Sequence, residues 1–221
     1  MRILLVGETG LGKTVTALTI SQHFKTVYID TEEGTELWKQ HFKLDSTQFY
    51  TITEWNSRIV DFINNATANA ELTIVDSIST LMDHYVDYLQ SEIRRRQRVP
   101  IPTAGTYTEL RVDPEFVILP YQVWSLVYDT IHNVIMTVIR NSKHCIITMH
   151  PIETRQLSID GKIVHSHGRL KFVQSIHRQM DVILNYVRPM QANVVKCRGL
   201  VSVSNPVNPI EFLKELMGVK E

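Results

Sequence analysis

Few eight-residue stretches dictate as much about their surroundings as Gly7-Glu8-Thr9-Gly10-Leu11-Gly12-Lys13-Thr14, which fits G-x-x-x-x-G-K-[ST] at every fixed position. Before it, Arg2-Ile3-Leu4-Leu5-Val6 is an apolar, β-prone run; after it, Val15 to Gln22 continues as a helix. The glycines let the backbone turn tightly enough for successive N–H groups to face one concavity. The helix that starts there points its positive dipole end at the same spot. Gly7, Glu8, Thr9, Gly10, Leu11, Gly12, Lys13, Thr14 and Val15 are therefore expected to cradle the phosphates of a nucleoside triphosphate. Lys13 would reach the β- and γ-phosphates, and the Thr14 hydroxyl would ligate Mg2+. The alternative is a glycine turn that binds nothing, and the strand before it and helix after it argue against that. Such a loop specifies a ligand and leaves the reaction to the rest of the chain.

Bulk properties narrow the classes. A chain of 221 residues, 43% hydrophobic and 21% charged, is long and apolar enough for one α/β domain with a full core. Its 23 basic and 23 acidic residues cancel, so any nucleic-acid contact has to come from local patches. Cys145 and Cys197 lie far apart in apolar runs and read as reduced thiols, with no disulfide framework or metal site. Without an apolar stretch near ~20 residues or a signal peptide, the expectation is a soluble, cytoplasmic protein with no membrane partner.

Along the chain, strands are expected at Thr26–Asp30, Phe49–Ile52, Leu72–Asp76 and His144–Met149. Helices are expected at Glu36–Phe42, Glu54–Ala68, Leu81–Ile93 and Tyr121–Asn141. The prolines between Arg94 and Pro120 suggest a long loop with only short ordered pieces. A second irregular region, Pro151 to Arg169, carries a hairpin signal at Asp160-Gly161, and one or two helical turns are expected over Leu170–Ile176. Val182–Val187 and Ala192–Cys197 then read as an antiparallel pair, and Pro209–Met217 as a last helix. Strands alternating with helices imply a mostly parallel sheet, with ligands at the carboxyl ends of its strands.

Three polar residues fall at such ends. Asp76 closes an apolar strand, where its carboxylate would hold Mg2+ through water; capping the next helix is the plainer role. Glu32 follows the second strand and could deprotonate a water attacking the γ-phosphate, with Glu33 beside it as a rival for that role. His150 ends the fourth core strand, where it would contact the γ-phosphate or serve the fold alone.

In this order the matches resemble the ATPase core of the RecA/RadA recombinase superfamily, most of all the short stand-alone RecA-core ATPases of bacteriophages linked to single-strand annealing and recombination. Gly7 to Thr14 is similar to the Walker A loop, Tyr28-Ile29-Asp30-Thr31-Glu32 to the strand carrying a catalytic glutamate, and Thr73-Ile74-Val75-Asp76-Ser77 to the Walker B strand. Thr148-Met149-His150 stands where the family carries a glutamine switch, and Gly168 to Ser175 is similar to the segment after the second DNA-binding loop. Val194-Val195-Lys196-Cys197-Arg198 resembles the strand whose basic residues reach the neighbouring subunit's ATP. The resemblance implies a RecA-like P-loop fold spanning 1–221, ATP and Mg2+ as ligands, and a ring or filament of identical subunits. Lys196 and Arg198 would act in trans on the phosphate charge; their alternative is a pair of charges on one face of an exposed strand.

The resemblance also makes the two irregular regions, 94–120 and 151–169, the candidate DNA loops. Arg94, Arg95, Arg96 and Arg98 form the densest basic cluster, and Arg155, Lys162 and Arg169 lie in the second region. Such groups suit a sequence-tolerant single-strand binder. The reading is an Mg2+-dependent, DNA-stimulated ATPase of recombination, annealing or repair, with a single-strand-binding or replication partner. A small-molecule P-loop kinase and a nucleotide-regulated helicase loader remain as alternatives; the missing glutamine and the lack of an extension before the first strand depart from full recombinases.

Overall fold

The computed structural model describes residues 1–96, 98–103, 106–111, 121–151, 174–199 and 205–219. The first half comprises β1 (Arg2–Val6), α1 (Lys13–Ser21), β2 (Thr26–Asp30), α2 (Glu36–Lys39), β3 (Thr47–Thr51), α3 (Ile59–Thr67), β4 (Leu72–Asp76) and α4 (Ile78–Arg96). Then come β5 (Arg98–Thr103), β6 (Thr106–Arg111), α5 (Tyr121–Asn141), β7 (His144–Met149), a short helix α6 over 174–179, β8 (Val182–Arg188), β9 (Gln191–Cys197) and α7 (Pro209–Met217).

Seven strands form one sheet in the order β3-β2-β4-β7-β1-β8-β9. All pairs through β8 are parallel, and β8–β9 closes the sheet as an antiparallel hairpin. β2 and β4 are buried at all five positions, as expected for parallel strands covered on both faces. Alternation along the strands divides two cores: Leu4, Ile29, Val75 and Ile147 pack with α3, α4 and α5, whereas Ile3, Leu5, Tyr28 and Ile74 pack with α1 and Leu213 of α7. Helices thus cover opposite faces, and the chain leaves β1 toward one face and β4 toward the other. The crevice that this reversal opens lies at the carboxyl ends of the strands.

Register turns that rule into coordinates. Asp30 pairs with Asp76 across β2–β4, and Val6 pairs with Met149 across β1–β7. The residues that follow, Thr31-Glu32, Ser77, Gly7 and His150, therefore emerge side by side.

One expectation fails here. Residues 94–120 do not begin as a loop: α4 runs on through Arg94, Arg95 and Arg96, and β5 and β6 form an antiparallel ribbon that includes Arg98. Pro100 and Pro102 are tolerated because alternate residues of a two-stranded ribbon direct their backbone N positions to the same unpaired edge. Residues 112–120, the Asp160-Gly161 turn, and 170–173 of the segment expected as helical turns lie outside the described residues. α3 starts five residues later than its periodicity suggested, at Ile59. Both cysteines are free; Cys145 is buried, with its thiol pushed up to about 11 by desolvation, and Cys197 is partly exposed.

Candidate active site at the strand ends

The glycine loop leaves β1 with Gly7 N donating to Met149 O at 3.2 Å, so it starts tied to β7. Gly12, at φ 99°, caps α1 in a left-handed conformation that a side chain resists. No side chain caps the helix, and its first turn contains no acid. The leading N–H groups of α1 are thus left to an external acceptor, and their dipole favours an anion. Lys13 is 6% exposed, and its ammonium donates to Gly7 O at 2.7 Å and Glu8 O at 2.9 Å. Burial lowers its pKa, opposed by the charges of Asp76, Glu32 and Glu8. These lysine bonds curl the loop around the space where phosphate oxygens would replace the two carbonyls.

Asp76 ends β4 at 3% exposure. Tyr28 donates its hydroxyl to Oδ2 at 2.7 Å, the Thr148 hydroxyl donates to Oδ1, and the Thr14 side chain also hydrogen-bonds the carboxylate. Burial pushes this carboxyl above its ordinary value, and the bonds from Thr148, Tyr28 and Thr14 oppose that rise only in part. Thr14 and Asp76 therefore meet as a pair of hard oxygen donors. Among the described residues no group of three or more His, Cys, Asp or Glu could hold a metal. That donor set fits Mg2+, which takes one or two protein ligands and completes its octahedron with phosphate and water.

Glu32 sits on the far side of the same crevice. Its Oε1 accepts from Thr80 Oγ1 at 2.8 Å and lies 2.6 Å from His150 Nε2. Burial alone would raise its pKa; hydrogen bonds with His150, Ser77 and Thr80, together with the charge of His150, bring it below the ordinary value. The loop that carries it is braced by Asp30, whose Oδ1 accepts Glu32 N at 3.0 Å and whose Oδ2 accepts Thr35 N at 3.1 Å. Thr31 Oγ1 donates to Ser77 O and accepts from Ser77 N, both at 2.8 Å, which joins the ends of β2 and β4. His150 is fixed in turn by its N–H, which donates to Ser79 Oγ at 3.0 Å. Glu33, exposed like Glu32, adopts a left-handed φ of 55°.

The strand ends thus bring together Gly7 to Thr14, Glu32, Asp76 and His150. Lys196 and Arg198 are engaged elsewhere: Lys196 Nζ donates to His177 O at 2.7 Å, and Arg198 donates to Arg178 O at 2.9 Å and pairs with Asp181 at 3.1 Å. Within one subunit they hold the last carbonyls of α6. Arg94 and Arg95 are exposed on the final turn of α4, with Arg95 paired to Glu92 at 2.7 Å; cations at that end also suit the helix dipole. Arg155, Lys162 and Arg169 lie outside the described residues. Sequence reasoning missed Tyr28, Thr148, Asp30 and Thr80. Tyr28 and Thr148 carried one usable signal: polar groups inside otherwise apolar strands, at positions facing a buried acid.

A family model described as an AAA domain matches residues 1–205. No curated protein matches the chain. Among solved structures, a KaiC-like protein from the hyperthermophilic archaeon Pyrococcus horikoshii aligns at 13% identity and a TM-score of 0.48, covering 95% of this chain and 86% of its own. The RadB recombinase aligns at 16% identity and a TM-score of 0.47, covering 90% and 81%.

Proposed function

The chain belongs to the AAA domain family, with an α/β, RecA-like P-loop fold, and from that membership we propose that it is an Mg2+-dependent ATPase stimulated by single-stranded DNA. The observation that carries the reading is the convergence of Lys13, Thr14, Asp76 and Glu32 from three separate elements on one crevice.

In this reading ATP lays its phosphates along the N–H groups of Gly7 to Val15. Lys13 gives up its bonds to Gly7 O and Glu8 O for oxygens of the β- and γ-phosphates. Thr14 and Asp76 would hold the metal, whose positive charge would offset the negative charge developing on the phosphate oxygens. Glu32 is the base: Thr80 and His150 hold Oε1, which orients the carboxylate to accept a proton from the attacking water. The left-handed backbone of Glu33 and the bonds that hold the Glu32 carboxylate in the crevice favour Glu32 over it. His150 holds the base and stands where loss of the γ-phosphate would be felt.

Lys196 and Arg198 would act on the ATP of a neighbouring copy in a ring or filament, leaving their carbonyl partners on α6 to do so. Exposed Arg94 and Arg95, with Arg96, Arg98, Arg155, Lys162 and Arg169, supply the cations for a DNA backbone. The setting proposed is cytoplasmic recombination, annealing or repair of the phage type, alongside a single-strand-binding or replication partner.

The test is phosphate release from ATP with and without single-stranded DNA, run beside nucleoside acceptors. DNA-dependent release supports the ATPase; ATP consumption that requires an acceptor would make the protein a kinase.

A further inference from the structure

We propose that the β8–β9 hairpin is a clamp that sets the shape of the phosphate loop, with Tyr186 and Met190 as its positioning residues. The inference concerns the outer side of the loop and rests on the reading of Gly7 to Val15 as the phosphate cradle.

Contacts at three places carry it: the start of the loop, its end, and the first turns of α1. At the start, a side chain at Gly7 would meet the Tyr186 Cβ at 2.7 Å, so strand β8 lies directly against the backbone. At the end, Met190 N donates to Leu11 O at 3.0 Å, and a Cβ on Gly12 would meet the Met190 sulfur at 2.4 Å. In the first turns of α1, the Tyr186 hydroxyl donates to Thr16 Oγ1 at 2.7 Å, with Tyr186 4% exposed and Thr16 fully buried.

The direction of these contacts matters. A phosphate cradle needs its N–H groups turned inward, so the carbonyls between them must find partners outside. Met190 N supplies that partner for Leu11 O, and the thioether fills the space that the Gly12 hydrogens leave. Met190 itself adopts φ 55°, a left-handed conformation that a methionine takes up only where the surroundings hold it. The glycines at positions 7 and 12 are thus required by the hairpin as well as by phosphate. A fixed loop loses less freedom when ATP binds, so the clamp should appear as affinity.

The test uses Met190→Ala, Met190→Leu and Tyr186→Phe in the full chain, with two readouts. One is amide hydrogen exchange at 10–16 without nucleotide, with β4 and β7 as internal controls for folding. Exchange there should rise about tenfold in Met190→Ala and Tyr186→Phe, and return close to wild type in Met190→Leu. The other is the dissociation constant of a fluorescent ATP analogue, expected to weaken about tenfold in Met190→Ala and to stay within about twofold in Met190→Leu. Unchanged exchange at 10–16 in both loosening variants overturns the clamp, whether or not nucleotide binds. Failure of the wild type to bind the analogue instead overturns the cradle reading, and the exchange readout still decides the clamp.

Discussion

Glu32 and His150 are 118 positions apart in the chain, yet Oε1 of one lies 2.6 Å from Nε2 of the other. The parallel register of β2, β4, β7 and β1 makes that contact: the two residues follow strands that end at the same level with β4 between them. The imidazole therefore acts on the proposed base directly.

Removing the imidazole should change how that base titrates. Without His150, burial is opposed less strongly, by Thr80, Ser77 and the charge of Lys13, so the Glu32 carboxyl rises. In His150→Ala the acidic limb of the kcat profile against pH moves to higher pH, and His150→Gln, which keeps a donor, moves it less. An unmoved limb in both variants would mean that Glu32 is not the titrating base.

The same carboxyl sets a pH dependence of stability. Its folded pKa is depressed below the ordinary 4.5, so its contribution is full above that value and is lost as pH falls through the folded pKa. Glu32→Gln should flatten the stability curve in that acidic window, lying below wild type at neutrality and converging with it as pH falls through the folded pKa. Urea titrations at stepped pH would register the difference.

Asp76 has the opposite sign. Its folded pKa is raised, so a buried charge is carried at a loss and stability falls as pH rises through the interval between its unfolded and folded values. Asp76→Asn should abolish metal-dependent turnover while leaving the fold at neutral pH as stable as wild type or more so. Thr148→Val leaves one buried carboxylate oxygen without its donor and should cost about 1–3 kcal/mol. Equal thermal melts for Thr148→Val and wild type would contradict that account of the site.

Arg198 separates two roles. Its bonds to Arg178 O and Asp181 are half exposed, so Arg198→Ala should change subunit stability by less than about 1 kcal/mol. In trans it should lower turnover at concentrations where subunits assemble, yet leave ATP bound. Normal hydrolysis by Arg198→Ala under those conditions would confine the residue to holding α6.

The sequence was most legible where local chemistry decides structure. Leu72–Asp76, Tyr121–Asn141 and Pro209–Met217 fall at their expected bounds, because a buried strand, a long amphipathic period and an Asn208–Pro209 cap each suffice locally. The ribbon of Arg98–Thr103 and Thr106–Arg111 was hidden because prolines that break a central strand are harmless at the edge of a two-stranded one. The continuation of α4 through Arg96 was hidden by the same prolines a few residues on. The glycine loop announced itself, and Asp76 stood at the end of an apolar run. His150 was legible as a strand-end residue, but the partners Tyr28 and Thr148, and the contact of His150 with Glu32, came into view only once register had brought their strands together.

The central claim is tested most directly by measuring ATP binding and phosphate release together in wild type and Glu32→Gln, with Mg2+ and with or without single-stranded DNA. The account predicts that both proteins bind ATP, that DNA accelerates release by the wild type, and that Glu32→Gln releases phosphate about 10^2 to 10^4 times more slowly. Release by Glu32→Gln at the wild-type rate would contradict it.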